Sequence, residues 1–546
     1  MRVRRRVVLR WPAIAVGLAM LMVLTPIAGG IPRATAAGVR KFAASCVPRP
    51  IPISPVKKFS EVSAVQRGRL RTYTMTSPAV GVTHVNVLLP AGYDRRSSRR
   101  YPVLYLLHGA LGSYTDWASG VSAAGQPQGG RVQSLVGTLP VIVVMPDDSP
   151  SGSYTDWYGI SARDRASDQL VSTPAWETYH IGELVPWVDA TFSTEATTSG
   201  RAIAGLSSGG AGAAKYATAH PGLFGFVGTF SGALDNDLVD STINWYVSSN
   251  SLNPNSTPDD RCTFGDPFTS DAKNSAYYWY DNDPTYEAGN LGGVKVFVAS
   301  GNGRPTAADA RANPGVVGAE GGIERVVDDM SHHFVAAVQA AGYGANLTTD
   351  FYGNGVHGWY YWQRDLAAFL TWLRPQLDKP FAAPASFSFR TARLTSSAWG
   401  WSFRHDSGLV VANVNTAEEF VYLSHVSPSG LTAAGDGTLR ITTPKGSYPA
   451  RSLHEVTVGR AGWRVRANDD GQLKLKVVLG RPAARSQVAF PTPGAPANMP
   501  HVVVAIAPVA PPAPSSSHLW AIALGAIGVA LLSVLLIWRV RRRFGQ

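Results

Sequence analysis

The chain has 546 residues, 45% of them hydrophobic, which is enough for more than one globular unit and excludes a compositionally disordered protein. Its formal net charge is +12, but six arginines in residues 1–36 and four in residues 539–546 contribute +10 of it. Because the residues between these ends carry only +2, a surface that tracks nucleic-acid phosphates is not implied.

Residues 1–36 have the pattern of a secretory signal peptide. A basic start is followed by an apolar run over residues 11–27 and by the small residues Ala34, Thr35 and Ala36, so we expect cleavage before Ala37. Two adjacent arginines before an apolar segment loosely resemble a twin-arginine signal, and both the Sec and the Tat route stay open. We interpret residues 37–64 as an N-terminal extension.

Residues 65–378 alternate apolar, strand-like runs with helical patterns. This alternation predicts a mostly parallel sheet covered by helices. The predicted strands are 82–89, 103–107, 141–145, 201–204, 227–230, 294–299 and 347–351. The predicted helices between them are 178–191, 209–219 and 323–341.

The pattern changes in residues 379–490 to short β-branched and aromatic runs separated by Gly, Asp, Asn and Pro. This predicts a small all-β module, either a sandwich or a barrel, with strands near 408–414, 419–426, 439–442 and 473–478. Residues 491–517 are rich in Pro, Ala and Ser and are interpreted as an extended stalk.

The uncharged apolar stretch 518–538 has the length of a transmembrane helix. It is followed by the basic tail 539–546, which the positive-inside rule assigns to the cytoplasm. We therefore expect an exported protein, anchored in the cell membrane by a C-terminal helix, with its catalytic domain outside the cytoplasm.

Two further features leave alternatives open. The two cysteines of the sequence, Cys46 and Cys262, would be free to pair in an exported protein, but the sequence does not decide this. The string SYTDW occurs at 113–117 and again at 153–157, each time after a predicted strand. Such loops gather at the carboxyl edge of a parallel sheet, so a shared role at the rim of a cleft and a coincidence are both tenable.

Ser207 is the strongest candidate for a catalytic residue. It lies in the string GLSSG at 205–209, directly after an apolar strand and before a helix of small residues. This is the context of a nucleophile elbow, in which glycines let strand and helix pass closely while the serine adopts a strained backbone conformation. Ser208 is a rival on paper, but the spacing to both glycines favours Ser207.

A serine hydroxyl needs a base, and after a nucleophile elbow the catalytic residues follow in the order Ser, acid, His, so the base is a histidine late in the sequence. His357 meets this requirement because it follows the last predicted strand in a Gly-rich loop. The acid that orients it should follow the predicted strand 294–299 and precede His357. Pattern alone does not choose among the competing carboxylates in that segment, Asp309, Glu320, Glu324, Asp328 and Asp329. The order Ser, acid, His predicts an α/β-hydrolase fold.

The oxyanion of an acyl-transfer reaction needs two backbone N–H donors. We expect these from Ser208, directly after the nucleophile, and from Ala110, in the turn after strand 103–107. No HExxH string, no cysteine pair at ligand spacing and no phosphate-cradling glycine loop occurs, so neither a metal nor another cofactor is expected.

Together these residues resemble the antigen 85 mycolyltransferases, within the wider esterase D-like α/β hydrolases. The resemblance covers about 300 residues and rests on six strings: YLLHG at 105–109, YTDWY at 154–158, WET at 176–178, GLSSGG at 205–210, SGNG at 300–303 and NGVHGWYYW at 354–362. The family has a Ser-Glu-His triad, and alignment back from His357 implies that its glutamate is Glu324. Glu320 and Asp328 stay open as alternatives.

The resemblance implies acyl transfer through an acyl-serine, with a long-chain acyl group passed from one trehalose ester to another sugar. His108 and Leu111 occupy the positions of the family's sugar-contacting Asp and Arg, which puts the choice of sugar in doubt. We expect His108, Trp157 and Trp359 to contact substrate, while ordinary core packing is the alternative for both tryptophans.

The leading functional hypothesis is an extracytoplasmic serine esterase or acyltransferase acting on lipid or sugar esters. A true trehalose mycolyltransferase of the cell envelope is the close alternative. A non-catalytic wall- or matrix-binding protein is a third hypothesis. The expected partners are an acyl-ester substrate, the membrane through the C-terminal helix and a cell-wall polymer through the β module, but not nucleic acid.

Overall fold

The structure, a computed structural model, describes residues 46–48, 58–120, 129–149, 152–161, 174–236, 263–264, 272–312, 314–315, 317–377, 379, 381–408, 419–481, 499, 501–509 and 539. The predicted signal peptide, the predicted membrane span and Cys262 lie outside these residues, so those predictions remain predictions. In the described part of the chain, no helix is both long and apolar enough to cross a membrane.

A nine-stranded mixed sheet forms the centre of the first domain. Its nine strands are β2 Ser60–Arg67, β3 Leu70–Ser77, β4 Gly81–Leu88, β5 Val103–Leu107, β6 Ile142–Pro146, β8 Arg201–Leu206, β9 Phe226–Phe230, β10 Lys295–Ser300 and β11 Leu347–Phe351. Two further short strands, β1 Cys46–Pro48 and β7 Gly159–Ser161, pair with each other in a separate sheet. The strand order is β11-β10-β9-β8-β5-β6-β4-β3-β2. Strands β5, β6 and β8 to β11 run parallel, so the predicted mostly parallel sheet is confirmed.

Helices cover both faces of this sheet. They are α1 Val132–Val136, α2 Val185–Thr191, α3 Ser208–Ala219, α4 Ala272–Asp281, α5 Ala307–Ala312, α6 Val317–Ala340 and α7 Trp359–Leu377. A π-helical segment, Thr178–Leu184, leads directly into α2. One apolar cluster packs α2, α3 and α6 against the sheet, and another packs α1 and α7 against its opposite face. The central strands are therefore buried on both sides, which explains their unbroken apolar runs.

The sheet begins earlier than predicted. Strand β2 starts at Ser60, inside the segment interpreted as an extension, and pairs with β3 in an antiparallel hairpin. All eight residues of β2 are exposed, so the strand has no apolar alternation that the sequence pattern could reveal. Helix α7 was also missed, although its buried residues Leu366, Phe369, Leu370 and Leu373 recur at helical spacing.

The second domain is a β-sandwich, which confirms the all-β prediction. Its strands are β12 Phe387–Thr391, β13 Thr395–Ala398, β14 Trp401–Asp406, β15 Val421–Ser427, β16 Gly430–Ala434, β17 Thr438–Thr442, β18 Leu453–Val458, β19 Ala461–Arg466, β20 Lys474–Val478 and β21 His501–Pro508. They form a six-stranded sheet, β12-β15-β16-β21-β18-β19, and a four-stranded sheet, β13-β14-β17-β20. Both sheets bury alternate side chains in one shared apolar core.

The predicted stalk at 491–517 is wrong for part of its length. Strand β21 lies between β16 and β18 and pairs with both. The segment 491–517 as a whole is rich in Pro and Ala, but β21 itself contains three valines and one isoleucine, and Val504 and Ile506 alternate with exposed residues and enter the sandwich core. The module therefore extends to Pro508, because pairing partners that are distant in sequence decide the conformation of this segment.

The two domains share buried polar contacts. Arg393, just after β12, donates from Nη2 to Glu177 at 3.1 Å and from Nε to Asp281 at 2.7 Å. Asp281 also accepts a hydrogen bond from the Ala392 N–H at 2.8 Å. Burial by itself raises the pKa of Glu177, but Arg393 and His220 outweigh it and hold that pKa well below its usual range. The β module thus supplies the counter-charge for carboxylates of the first domain.

Candidate active site

Ser207 lies at the turn between β8 and α3 with φ 53° and ψ −122°, a strained conformation for a non-glycine residue. The neighbouring glycines are sterically required. A Cβ added to Gly205 would lie 2.3 Å from the Gly209 carbonyl oxygen, and one added to Gly209 would lie 2.3 Å from the His108 carbonyl oxygen. The GxSxG string therefore forms the elbow that the sequence predicts.

His357 lies between Ser207 and Glu324. Its Nε2 is 3.0 Å from Ser207 Oγ, and its Nδ1 is 2.8 Å from Glu324 Oε2. With a carboxylate at Nδ1, the proton belongs on that nitrogen, which leaves Nε2 free to accept from the serine hydroxyl. The structure thus brings the three predicted triad residues together in one hydrogen-bonded chain.

Glu324 is completely buried, and three donors hold its other oxygen. Oε1 accepts from the Gly301 N–H at 2.8 Å, from Ser231 Oγ at 2.8 Å and from Ser300 Oγ at 3.2 Å. Hydrogen bonds to an ionised carboxylate are stronger than neutral ones, and here they also restrict its rotation.

Ser231 was missed by the sequence analysis, and Ser300 was noted only as part of a family string. Ser231 follows the last residue of β9, and Ser300 is the last residue of β10. Trp362 also contributes, because its Nε1 donates to Ser231 Oγ at 3.3 Å and its ring meets His357 edge-on at 4.9 Å. Polar residues that end adjacent parallel strands are the signal that could have found both serines.

The competing carboxylates have other contacts. Glu320 meets His357 through its backbone, where its carbonyl accepts from the His357 N–H at 3.2 Å. Asp309 Oδ2 accepts from Thr306 and from Tyr361 Oη at 2.8 Å. Asp328 lies 3.6 Å from His332, and Asp329 is exposed. The geometry therefore selects Glu324 as the partner of the histidine side chain.

The two expected oxyanion donors flank Ser207. A Cβ on Gly109 would lie 3.3 Å from Ser207 Cβ, so the turn that carries Ala110 packs directly on the elbow. Ser208 begins α3, where a backbone N–H has no intrahelical acceptor. Within the described residues, neither the Ala110 N–H nor the Ser208 N–H donates to another backbone or side-chain group. Both donors are thus free for a developing oxyanion.

The expectation that His108 contacts substrate is wrong. The side chain is 2% exposed, and its Nε2 accepts from the Asp148 N–H at 3.0 Å. The proton is therefore on Nδ1, which donates to the Gly109 carbonyl at 2.8 Å. Burial lowers the pKa of His108 to about 4, so it is neutral at pH 7 and its 3.7 Å approach to Asp147 is not an ion pair. Through these two hydrogen bonds, the buried His108 side chain holds the oxyanion turn in place.

The two tryptophans expected at the substrate differ. Trp157 is fully buried and donates from Nε1 to the Gly152 carbonyl at 3.2 Å, so core packing explains it and the prediction is wrong. Trp359 is half-buried at the start of α7 and meets both Trp117 and Trp362 edge-on at 5.3 Å. Only Trp359 keeps a position from which it could line the mouth of the site.

The repeated SYTDW string does not form a repeated structure. In the first copy, Trp117 lies in a short 3₁₀ helix and donates to the Leu107 carbonyl at 2.8 Å. In the second copy, Ser153 and Tyr154 have positive φ angles, and Asp156 accepts from the Thr178 N–H at 2.8 Å. The similarity of the two strings is therefore not a shared local fold.

A buried polar network behind the oxyanion turn was also missed. Tyr154 Oη donates to the His108 carbonyl at 2.8 Å, and its N–H donates to the Asp148 carboxylate at 3.0 Å. Lys215 on α3 donates to the Tyr154 carbonyl, and burial lowers the pKa of Lys215 to about 8. The network connects the elbow helix, the 152–158 loop and the oxyanion turn. In the described residues, no group of three or more His, Cys, Asp or Glu side chains is arranged to hold a metal.

Comparison with known proteins supplies the family. The family model described as "Putative esterase" matches residues 80–373, more than half of the chain. The chain belongs to this esterase family. The match begins at the first predicted strand and ends inside α7, so it covers the elbow, Glu324 and His357. The predicted likeness to the antigen 85 and esterase D-like hydrolases is confirmed.

This chain is 40% identical over 165 residues to Esterase Rv1288 of Mycobacterium tuberculosis (strain ATCC 25618 / H37Rv), and the match covers 30% of this chain and 32% of that protein. It is 28% identical over 254 residues to the diacylglycerol acyltransferase/mycolyltransferase Ag85A of Mycobacterium ulcerans, and the match covers 44% of this chain and 65% of that protein. Among solved structures it resembles M. tuberculosis MPT51 (FbpC1), with 23% identity and a TM-score of 0.41, over 55% of this chain and 96% of that one. The chain therefore spans about one third to two thirds of these curated relatives.

Proposed function

We propose that the protein is a serine esterase or acyltransferase that works through an acyl-Ser207 intermediate. The observation that carries this proposal is the hydrogen-bonded chain Ser207, His357, Glu324 beside two free backbone donors. Ester or acyl-transfer chemistry is also the activity class of the matched family and of its named relatives.

The reaction follows from this geometry. As Ser207 Oγ attacks the ester carbonyl, its proton passes to His357 Nε2, and the imidazolium is stabilised by Glu324. The Ala110 and Ser208 N–H groups receive the oxyanion of the tetrahedral intermediate. When the intermediate collapses, the C–O bond to the alcohol breaks and His357 returns the proton to that alcohol. An acceptor hydroxyl then repeats the sequence in reverse and releases the acyl group.

The acceptor decides between esterase and transferase. The curated name of Ag85A includes both diacylglycerol acyltransferase and mycolyltransferase, which supports transfer to an alcohol as the specific alternative. However, the position of the family's sugar-contacting Asp is taken by His108, which is buried beneath the oxyanion turn. We therefore favour an esterase or acyltransferase of lipid or sugar esters over a dedicated trehalose mycolyltransferase.

A competition experiment tests this preference. The purified protein is given a trehalose mycolate with water, glycerol and free trehalose as acceptors, and the lipid products are separated. We expect free acid, with or without acylglycerol, to exceed the trehalose product. Predominant transfer to trehalose would instead establish the mycolyltransferase.

The acyl-serine itself is tested by paired variants. Ser207→Ala should abolish nitrophenyl-ester turnover and labelling by a fluorophosphonate, while Ser208→Ala should keep the label because its side chain is not the nucleophile. Labelling that survives in Ser207→Ala would overturn the proposal. Absence of both activities in the wild-type protein would favour the non-catalytic binding protein.

We also propose an exported, membrane-anchored location with the two domains outside the cytoplasm. The support is the sequence of residues 1–36 and 518–546. Protease treatment of intact cells should digest the sandwich domain and leave only a short membrane-protected fragment. Complete protection in intact cells, followed by digestion after lysis, would contradict this location.

A further inference from the structure

The four-stranded sheet of the sandwich has an open face on which basic residues are aligned across neighbouring strands. Arg404 of β14 is directly opposite Arg440 of β17, and Arg440 is directly opposite Lys476 of β20. Alternate residues of these strands, such as Phe403, Ile441 and Leu475, enter the core, so the basic side chains point outward. The row crosses two strand spacings, roughly 10 Å.

Such a row is unfavourable for the sandwich alone. Like charges directly opposite each other on adjacent strands are destabilising, whereas a pair of opposite charges would stabilise the sheet. Within the described residues, Arg404, Arg440 and Lys476 form no ion pair, and neither does Lys474 in the next row of the same face. Asp406 is the one acidic residue on the described strands of this face, and it accepts a hydrogen bond from the Gly408 N–H at 3.1 Å. The positive charge of this face is therefore not compensated by ion pairs within the described residues.

The rest of the face indicates which class of partner would compensate this charge. The other outward residues are mainly hydroxyl-bearing and are Thr395, Ser397, Ser402, Thr438 and Thr442. Among the described residues of this face, no aromatic side chain could stack with nucleobases, and Val478 is the one apolar side chain, at the edge of the described sheet. Surfaces that lie on membranes need a larger apolar contact than one valine. Cations among hydroxyl groups instead suit a hydrated anion that carries sugar hydroxyls.

We propose that this face binds an anionic polysaccharide, with Arg404, Arg440 and Lys476 contacting successive acidic groups of one chain. The charge complementarity and the absence of aromatic and apolar anchors on the described face carry this assignment. The face belongs to the sandwich and shares no residue with the Ser207 site, so the proposal does not depend on the proposed enzymatic function.

The test uses the full-length protein and three polysaccharides, which are polygalacturonate, dextran sulfate and neutral dextran of matched length. We expect binding to both anionic polymers and none to dextran, with affinity falling several-fold for each doubling of the salt concentration. Arg440→Glu should weaken binding about tenfold or more, because it replaces the central attraction with a repulsion. The matched control is Arg460→Glu, an equal charge change in the β18–β19 turn of the other sheet, which should bind like the wild type.

A second variant separates binding from folding. Arg440→Thr should raise Tm by about 1–3 °C, since it removes like-charge repulsion, while it weakens binding to polygalacturonate. Equal binding of dextran, no binding to either anionic polymer, or an unchanged affinity in Arg440→Glu would overturn the proposal. Binding only to phosphatidylglycerol vesicles or only to single-stranded DNA would overturn the assignment to a polysaccharide. Nitrophenyl-ester turnover by these variants should equal that of the wild type.

Discussion

Arg393→Gln is expected to destabilise the protein chiefly near neutral pH. Arg393 is the guanidinium that pairs with both Glu177 and Asp281, whose side chains are only 7% and 6% exposed. Removal of one partner of a buried pair costs about 3–5 kcal/mol because the remaining charge is left uncompensated. His220 stays 2.7 Å from Glu177 and retains part of the compensation, so we expect about 3 kcal/mol.

The pH dependence identifies the cause. Burial opposes ionisation of Glu177, but Arg393 and His220 hold its pKa well below the value of an unfolded glutamate. A depressed carboxyl pKa stabilises the folded state above the unfolded pKa, and this stabilisation is lost as the pH falls through the folded pKa. The deficit of Arg393→Gln should thus be largest at pH 7 and smaller at pH 4.

Urea unfolding at these two pH values measures the deficit. The double variant Glu177→Gln/Arg393→Gln removes both charges of the pair and should recover part of the lost stability. Arg464→Gln, on the exposed edge strand β19, is the control for the loss of one arginine. A deficit below about 1 kcal/mol at pH 7, or an equal deficit at pH 4, would refute the reasoning.

Three further predictions concern the site. Glu324→Gln should lower kcat by roughly 10²–10⁴-fold while Glu320→Gln changes it little, because only the first side chain bonds His357; equal effects in ester turnover would contradict this. Gly209→Ala should yield little folded protein in a thermal-melt assay, because its Cβ would lie 2.3 Å from the His108 carbonyl oxygen, while Gly289→Ala, which meets nothing within 4 Å, should fold normally. Burial lowers the pKa of His108 from 6.5 to about 4, so as the pH falls the unfolded state takes up the proton first, and the free energy of unfolding should fall by about 3 kcal/mol between pH 6.5 and pH 4. In urea unfolding, His108→Gln should lose less stability over this pH range than the wild type. An equal loss in both proteins would contradict a neutral, buried histidine.

The parts of the site that the sequence predicts are those with local causes. Gly205 and Gly209 are required by the same close contacts that make the elbow, so Ser207 could be identified from five residues. His357 follows from its place after the last parallel strand. The choice of Glu324 needed the family resemblance, because the five candidate carboxylates that follow the predicted strand 294–299 look alike in sequence.

The parts that the sequence does not predict depend on distant contacts. Trp157 and His108 have the residue types of a sugar site, yet their indole and imidazole groups bond to backbone groups inside the domain. Ser231 supports Glu324 across 93 residues of chain, a relation with no sequence period. Strand β2 lacks an apolar face and pairs only through its backbone, so hydrophobic periodicity could not detect it.

The central place of β21 has a consequence for biosynthesis. Until residues 501–508 leave the ribosome, the six-stranded sheet consists of two separate pieces, β12-β15-β16 and β18-β19, each with an open edge. Open strand edges pair readily with other chains, so the nascent sandwich passes through an aggregation-prone stage that ends only when its last strand inserts. A nonsense codon or a proteolytic cut shortly before His501 would therefore release a chain with a complete triad and an incomplete, aggregation-prone second domain.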